Sequence, residues 1–285
     1  MRVVVAGTGY VGLTTAVCFA SHGHQVRCTD IDESKIEMIN MGISPIFEEG
    51  MNSLLKEVVE SGQLTASTDL EKAVVSSDIS FICVGTPNLE DGGIDLSQIR
   101  TVSASIGKAL SNYDGRHVVV VKSTVLPGTS EETILPELEK NSGLKSVKDF
   151  GLCVNPEFLR EGQAISDFLD PKNTGIVVGE SDTESGDVLV KLYAGFNGSV
   201  LRTFLRTAEM IKYARNAYLA KDVSFANEIA NICSTFSIDY LDVKKGMEMD
   251  SRIGEGRFLS AGLGYGGSCF KKDVSALIHR AESQG

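Results

Sequence analysis

A glycine-rich turn directly after a short apolar strand is the feature that most constrains this chain. Three valines at positions 3–5 lead into GTGYVG (7–12), and an apolar-periodic helix pattern follows. A dinucleotide pyrophosphate needs this order of strand, turn and helix: Gly7 permits the tight turn, Gly9 lets the backbone approach the phosphates, and Gly12 lets the helix pack closely. The first helical amides, at Tyr10 and Val11, then face the anion. The motif predicts a dinucleotide site.

A carboxylate after the next predicted strand indicates which dinucleotide binds. Asp30 follows Gly12 by eighteen positions, where it can accept hydrogen bonds from the adenosine ribose and would repel a 2′-phosphate. This favours NAD over NADP. Lys35 could cover the adenosine side, with simple solvent exposure as the alternative. Thr86 ends another strand at the edge where such sheets bind ligands, with a turn residue before Pro87 as the alternative.

Short β-branched runs alternate with helical patterns over the first two thirds of the chain. The predicted strands cover residues 2–6, 25–30, 78–84, 117–124, 150–154 and 174–178. Continuous apolar runs such as 118–121 are typical of parallel strands that are covered by helices on both faces. The fold class is therefore predicted to be α/β, with a Rossmann-type doubly wound parallel sheet.

The pattern changes near residue 200. Residues from 207 to about 236 contain neither Pro nor Gly, which predicts one long helix of about 45 Å. We expect residues 1–200 to form an NAD-binding Rossmann domain and residues 201–285 a helical domain that carries a catalytic loop. The long helix is predicted to be a homodimer interface, with an ordinary core helix as the alternative.

Composition excludes several other classes of protein. Lys and Arg number 27 against 38 Asp and Glu, a net charge of −11, which argues against a nucleic-acid or anionic-membrane surface. No apolar run reaches the roughly 18 residues of a membrane span, and no signal-peptide pattern opens the chain, so a cytoplasmic protein is expected. The six cysteines form no C-x-x-C pair, so neither a disulfide framework nor a metal site is predicted.

Two segments carry polar groups that a packed core would not select. Ser123 and Thr124 close an apolar strand, so their hydroxyls are expected at the carboxyl edge of the sheet. The segment NPEFLREG (155–162) follows another strand and is expected to begin a helix. On a helix, Glu157 and Glu161 would share one face; an N-terminal turn that merely favours acidic residues is the alternative.

A glycine-rich loop near the end of the chain carries a cysteine in an unusual setting. In GYGGSCFKKD (264–273), Cys269 is expected at a helix N-terminus beside Lys271 and Lys272, with Asp273 one turn later. Such surroundings favour a thiolate, and hence a nucleophile. On the long helix, Lys212 and Asn216 are also one turn apart. This pair could stabilise an oxyanion, with a solvated stripe as the alternative.

Six segments together resemble the nucleotide-sugar 6-dehydrogenase family over the whole chain: GTGYVG, KSTVLPGT, NPEFLREG, AEMIKYARN, DSRIG and GYGGSCFKKD. The family often has Pro where Lys271 stands, and residues 170–173 depart from its usual Pro-Asp-Arg pattern. The resemblance implies a four-electron oxidation of a primary alcohol to a carboxylate, with two NAD and one water. It is nearest to the branch that converts UDP-glucose to UDP-glucuronate.

The resemblance also implies roles for individual residues. Cys269 would form a thiohemiacetal and then a thioester; Lys212, Asn216 and Asp273 would stabilise oxyanions and position or activate water. Glu157 would transfer protons during thioester hydrolysis, Thr124 would hold the water or the nicotinamide region, and Glu161 with Lys272 would contact NAD. The implied substrate contacts are Glu157, Phe158, Leu159, Arg160, Glu161, Lys212, Asn216, Arg252 (across a dimer in relatives), Phe258, Leu259, Ser260, Gly262, Tyr265 and Gly266.

Other functions remain open at this point. GDP-mannose dehydrogenases share the NPEFLRE segment and a GGSC loop. A two-electron hydroxyacid-type dehydrogenase would have no use for Cys269, and a non-catalytic NAD-binding dimerisation module would not need it either. Family members continue into a further α/β domain that holds much of the nucleotide, so weak or no turnover is expected of these 285 residues alone.

Overall fold

The computed structural model describes residues 1–253 and 258–283, which belong to two compact units. The first unit comprises residues 1–87 and 95–212, and the second comprises residues 88–94 and 213–285. The division falls between residues 212 and 213, inside one helix. The domain limits of 1–200 and 201–285 stay a prediction. Gly254 of the DSRIG segment lies outside the described residues.

An eight-stranded sheet forms the centre of the first unit. Its strands lie in the order β3-β2-β1-β4-β5-β6-β7-β8, and the first six are parallel. The order 3-2-1-4-5-6 of these six is that of a Rossmann fold, which confirms the predicted fold class. The strands are β1 (Arg2–Ala6), β2 (Gln25–Thr29), β3 (Leu64–Ser67), β4 (Ile79–Ile82), β5 (His117–Val121), β6 (Phe150–Val154), β7 (Ile176–Glu180) and β8 (Val200–Phe204).

The last two strands run opposite to the others. β7 pairs antiparallel with β6 at Cys153–Glu180 and Val154–Gly179, and β8 is parallel to β7. The connection between β6 and β7, residues 155–175, contains a helix of 6 residues and a short 3-10 turn. The sheet is therefore mostly parallel, with a reversed edge that the sequence analysis does not anticipate.

Eleven α-helices lie in the described residues. They are α1 (Tyr10–Ser21), α2 (Glu33–Asn40), α3 (Met51–Glu60), α4 (Leu70–Val75), α5 (Ser97–Leu110), α6 (Leu135–Ser142), α7 (Ala164–Leu169), α8 (Thr183–Leu192), α9 (Leu205–Thr235), α10 (Tyr240–Glu248) and α11 (Gly267–Glu282). One turn of π-helix, Ser130–Ile134, precedes α6.

Two apolar clusters cover the two faces of the sheet in the first unit. Val3 and Val5 belong to one cluster and Val4 to the other, because successive side chains of a strand point to opposite faces. The first cluster centres on Phe19 of α1, whose ring lies 5.2 Å from those of both Phe168 and Tyr193. These contacts pack the carboxyl end of α1 against Phe168 of α7 and Tyr193, which follows α8.

The second unit consists mainly of helices. The 31 residues of α9 confirm the long helix, which begins two residues earlier than predicted. Residues 213–235 of α9, together with α10 and α11, belong to this unit. None of the helices in the described part of the chain combines the length and the apolarity needed to cross a membrane.

Candidate functional site

A cavity of about 600 Å³ opens at the carboxyl edge of the sheet in the first unit. Its walls include Gly7 and Gly9 of the turn, Asp30 and Lys35, and Val84 with Gly85 after β4. Ile31 also lines it, although its side chain is 98% exposed. The cavity lies where open α/β sheets bind their ligands.

The glycine turn has the shape that a pyrophosphate requires. Gly7 has a φ of +98°, which side chains disfavour, and a Cβ at Gly12 would lie 1.9 Å from the Gly7 carbonyl oxygen. A Cβ at Gly9 would meet nothing within 4 Å, so this backbone is open to a ligand. The helix α1 begins at Tyr10, and the amides of Tyr10 and Val11 are therefore in its first turn, where amides lack helical partners. The residues present thus fit a dinucleotide.

Asp30 stands directly after β2 and is held by the turn itself. Its Oδ2 accepts hydrogen bonds of 2.7 Å from both the amide and the hydroxyl of Thr8, and its Oδ1 accepts one of 3.1 Å from the amide of Asp32. Burial alone would raise the pKa of Asp30, but the bonds from Thr8 outweigh it and lower the pKa. Asp30 is therefore ionised and oriented at neutral pH, as an acceptor for ribose hydroxyls must be.

Thr86 and Thr124 lie beside each other after β4 and β5. The hydroxyl of Thr86 is buried and donates to the carbonyl of Thr124 at 2.8 Å. The hydroxyl of Ser123 donates to the carbonyl of Val84 at 2.6 Å. These bonds join the ends of two neighbouring strands and hold the backbone that continues the cavity wall.

The segment 155–162 is not helical, so the expectation that Glu157 and Glu161 share a helix face is wrong. Helix α7 begins only at Ala164, and Gly162 has a φ of +83°. Side chains stabilise the extended path instead: Glu157 Oε2 accepts from the amide of Leu159 at 2.7 Å. Proline at 156 also disfavours the helical conformation of the residue before it. Glu157 is consequently buried, whereas Glu161 is exposed.

Glu157 forms a buried ion pair with Lys212 of α9. The ammonium of Lys212 lies 2.7 Å from Oε1 of Glu157 and 2.8 Å from its carbonyl oxygen. The same ammonium is 5.7 Å from the centre of the Phe158 ring. Burial alone would raise the pKa of Glu157, but the charge and hydrogen bond of Lys212 reverse this, so its pKa is lowered. The pair offers a carboxylate and an ammonium to a ligand from one fixed position.

The remainder of the segment is anchored through Arg160. The Arg160 amide and its Nε both donate to Oδ2 of Asp167, at 3.0 and 2.9 Å. The guanidinium is therefore occupied within the segment, and Phe158 and Leu159 are half-buried beside it. The backbone amides of Leu159 and Arg160 are occupied as well, by Glu157 and Asp167.

In the second unit, Asn216 of α9 holds Asp273 of α11. Asn216 Nδ2 donates to Oδ2 of Asp273 at 2.6 Å, and Lys272 Nζ lies 2.6 Å from its Oδ1. The side chain of Asp273 is 2% exposed, and Asn216 is buried as well. Asn216 thus belongs to a buried polar cluster, which argues against its being part of a solvated stripe. Lys272 bonds Asp273 here, while a contact of Lys272 with NAD stays a prediction.

Cys269 lies one turn before Asp273, in the first turn of α11. Of the six cysteines, all of which the structure describes, the other five are buried and Cys269 is exposed. The loop before it makes a sharp turn at Gly264 and Gly267, whose φ values are +122° and +78°. An accessible thiol at a helix N-terminus meets the local requirements for a nucleophile.

The other predicted substrate residues of the second unit lie on or near this loop. The carbonyl of Leu259 accepts from Tyr240 at 2.7 Å, Ser260 accepts from Lys244 at 3.1 Å, and the amide of Gly262 donates to Asn227 at 2.7 Å. Arg252 is exposed and pairs with Asp250. Phe258 is half-buried, while Tyr265 and Gly266 are exposed.

Four buried charged residues of the described chain were not predicted from the sequence, and Lys122 and Glu48 are two of them. Lys122, at the end of β5, donates to Oδ1 of Asn155 at 2.8 Å, and burial lowers its pKa to about 8. Glu48, between α2 and α3, accepts hydrogen bonds from Tyr10 and from the amide of Gly162. A lysine that ends an apolar run is a weak signal for the first, and no sequence signal indicates the second. Within the described residues, no group of three or more His, Cys, Asp or Glu could hold a metal.

Comparison with known proteins gives consistent matches. The GDP-mannose 6-dehydrogenase of Pseudomonas aeruginosa is 44% identical over 282 residues, which cover 99% of this chain and 64% of that protein. The UDP-glucose 6-dehydrogenase of Haloferax volcanii is 42% identical over 290 residues, covering 100% and 66%. A solved UDP-glucose dehydrogenase from Pyrobaculum islandicum superposes with a TM-score of 0.94 at 39% identity, covering 99% and 64%.

The chain thus spans slightly less than two thirds of the length of these relatives. Its residues 1–197 match the NAD binding domain of the UDP-glucose/GDP-mannose dehydrogenase family, and residues 206–285 match that family's central domain. These matches confirm the resemblance that the six segments indicated and, with the glycine turn and Asp30, the choice of NAD. Relatives of both substrate classes are similarly close. The chain is therefore a member of the UDP-glucose/GDP-mannose dehydrogenase family.

Proposed function

We propose that this chain carries the catalytic residues of an NAD-dependent nucleotide-sugar 6-dehydrogenase, which oxidises a primary alcohol at C6 of the sugar to a carboxylate. The observation that carries the proposal is the position of Cys269, an exposed thiol in the first turn of α11 and one turn before the buried Asp273. A two-electron oxidation would stop at the aldehyde and would need no thiol. A four-electron oxidation needs a nucleophile that keeps the aldehyde bound.

The balanced reaction consumes one alcohol, two NAD and one water, and it yields one carboxylate, two NADH and three protons. When bound, NAD supplies the hydride acceptor for each of the two oxidations. The Cys269 thiolate adds to the C6 carbonyl carbon, and the carbonyl π electrons become the alkoxide of a thiohemiacetal. As that alkoxide re-forms a carbonyl, the second hydride leaves and a thioester remains. Water then attacks the thioester, the C–S bond breaks, and the Cys269 thiolate departs from the carboxylate.

The two buried polar pairs supply the charges that these steps require. Lys212 and Asn216 are the groups that we assign to oxyanion stabilisation, because an ammonium and an amide both donate and both are held by buried carboxylates. Glu157 is assigned to proton transfer during hydrolysis of the thioester, and its ionised state suits a base. Asp273 orients Asn216 and is assigned to water positioning. Thr124 is assigned to the nicotinamide side of the cavity.

We propose UDP-glucose as the substrate and GDP-mannose as the second candidate. The loop of residues 258–266 resembles the UDP-glucose branch, and the Haloferax volcanii relative carries that name. The relative from Pseudomonas aeruginosa, which is named for GDP-mannose, favours the second candidate. The proposed contacts of this chain with the sugar come from residues 157–161, Arg252 and the loop of residues 258–266. We therefore expect these residues to distinguish one sugar from another.

The test uses a longer version of the chain that includes the further α/β domain of the family. It counts NADH formed for each sugar nucleotide consumed, with UDP-glucose and GDP-mannose supplied separately. We expect two NADH with UDP-glucose, and Cys269→Ser should abolish carboxylate formation while NAD affinity is retained. One NADH per substrate would support a two-electron hydroxyacid-type dehydrogenase. The chain could instead bind NAD while Cys269 reacts with a thiol reagent no faster than a model thiol does. That result would support a non-catalytic module. Unchanged turnover of Cys269→Ser would remove Cys269 from the mechanism.

We also propose that α9 forms a homodimer interface. Tyr218, Phe225 and Ile232 are 60%, 46% and 46% exposed and recur every seven residues on this helix. Such spacing places them along one face, and an exposed apolar stripe of this kind is typical of helix-to-helix contacts between subunits. A second copy of the chain presents the same stripe, and a two-fold axis lets the two pair.

A further inference from the structure

Glu48 is a buried carboxylate that contacts two separate parts of the first unit. Its Oε2 accepts from the hydroxyl of Tyr10 and, at 2.8 Å, from the amide of Gly162. Its Oε1 accepts from the amide of Ala164 at 2.8 Å. Tyr10 begins α1 at the glycine turn, whereas Gly162 and Ala164 end the segment that begins with Asn155. One side chain therefore joins the turn to that segment.

The groups that donate hydrogen bonds to Glu48 are all neutral, so the burial of this carboxylate needs an explanation. The ion pairs found among the described residues do not include Glu48, so its charge is balanced by hydrogen bonds alone. A buried carboxylate in that state is costly unless its donors keep their positions. Burial, and after it the bond to Glu48, raise the pKa of Tyr10, so the phenol keeps the proton that it donates.

The same geometry constrains the loop that carries Glu48. Gly50 has a φ of +77°, and a Cβ there would lie 3.8 Å from the Ile165 side chain. The loop is thus seated on the beginning of α7, next to the two amides that Glu48 binds. In this loop Phe47 is 99% exposed, whereas Ile46 packs against the apolar cluster and Glu48 is buried.

We propose that Glu48 is a positioning residue that couples NAD binding at the glycine turn to the order of the substrate segment at residues 158–164. The inference rests on the proposed function in that this segment contacts the sugar there. NAD at the amino end of α1 restrains Tyr10, Tyr10 restrains Glu48, and Glu48 restrains the amides of Gly162 and Ala164. Coupling of this kind is reciprocal, so a loosened segment also weakens NAD binding by the same factor.

The experiment measures amide hydrogen exchange of peptides that contain Gly162 and Ala164, with and without saturating NAD, in the full chain. In the parent protein and in Glu49→Gln, NAD should slow this exchange. Glu49 is the adjacent, exposed carboxylate and serves as the matched control. In Glu48→Gln the NAD-dependent slowing should vanish, and the dissociation constant for NAD should rise about three- to tenfold.

A second variant tests the coupling where Glu48→Gln fails to fold. Tyr10→Phe leaves both backbone bonds of Glu48 in place and removes the phenol donor, so exchange without NAD should match the parent while the NAD effect shrinks. Slowing by NAD in Glu48→Gln and Tyr10→Phe to the parental extent would overturn the proposal, as would a parent segment that ignores NAD. No sugar nucleotide or turnover enters the measurement, so its failure leaves the role of Cys269 untouched.

Discussion

At the residue scale, charged side chains in the interior distinguish the candidate site. Lys122, Glu157 and Lys212 are all buried in the first unit, and Asp273 is buried in the second. A packed core rarely retains such groups unless each is paired. Glu157 and Lys212 compensate each other, whereas the contacts of Lys122 are with Asn155, Tyr193 and the face of Phe168. The first unit thus concentrates positive charge next to a carboxylate.

Substitution of Lys212 should separate its contribution to stability from its proposed contribution to catalysis. Lys212→Met leaves Glu157 buried without its cation, which should lower the free energy of unfolding by about 3 kcal/mol. Glu157→Gln in the same chain removes the uncompensated charge, so the double variant should recover most of that loss. Urea unfolding of the single and double variants measures both effects.

Activity should not follow stability in this series. The double variant lacks both proposed catalytic groups, so NADH formation should stay lost although the fold is restored. Equal destabilisation by Lys212→Met with and without Glu157→Gln would contradict the pairing. Recovery of NADH formation in the double variant would contradict the assigned roles.

Individual residues were predictable where the signal is local. Gly7, Gly12 and Asp30 lie within one strand-turn-helix-strand unit, and Cys269 is distinguished by its immediate neighbours, so sequence spacing was sufficient. Glu48 binds groups that are 38 and 114 positions away. Only folding brings these groups together, and no sequence pattern near Glu48 indicates that it binds them.

At the scale of elements, the segment 155–162 is extended and not helical. This conformation determines which of its side chains are buried. The extended backbone buries Glu157 against Lys212 and leaves Glu161 exposed. A helix would have placed both carboxylates on one face. Side-chain bonds from Glu157 and Asp167 to the segment's own amides compensate for the missing helical hydrogen bonds.

Strand β5 carries a histidine that should make the fold acid-sensitive. His117 is fully buried, bonded to Ser80 at 2.7 Å and to the carbonyl of Ser77 at 3.2 Å, and burial lowers its pKa to about 4. Below pH 6.5 the unfolded chain binds a proton that the folded chain does not. Stability is therefore full above that pH and falls as the pH drops towards 4, by about 3 kcal/mol from this group.

Urea unfolding at pH 7 and pH 4.5 measures this loss. His117→Gln should flatten the dependence on pH, while His22→Gln, at an exposed position, should keep the parental dependence. A slope that is unchanged in His117→Gln would assign the acid sensitivity to other groups.

Elements with a strong period were predicted well, and those that depend on tertiary pairing were not. The helix α9 was located to within two residues because Pro and Gly are absent from a long stretch. The short strand β3, Leu64–Ser67, was missed since its sequence LTAS has no apolar run. The reversed direction of β7 is seen only in its pairing with β6, which no pattern in the sequence indicates.

The whole molecule is expected to assemble through the stripe on α9. Phe225→Glu places a charge in the middle of Tyr218, Phe225 and Ile232, so it should convert a dimer into a monomer, because a buried unpaired charge opposes association. Ser224→Glu, at the adjacent exposed position, is the matched control and should remain dimeric. Light scattering after size exclusion gives the mass. A monomeric parent, or a dimeric Phe225→Glu, would contradict the proposed interface.

The distribution of thiols between interior and surface also has a consequence for the handling of this protein. Five cysteines are buried, and burial raises the pKa of Cys18, Cys28, Cys83 and Cys153. These thiols are therefore expected to react poorly with oxidants. Among the cysteines, peroxide should therefore attack Cys269, the proposed nucleophile. Mild oxidation would silence the protein reversibly, and prolonged oxidation would silence it for good, while the fold around it stays intact.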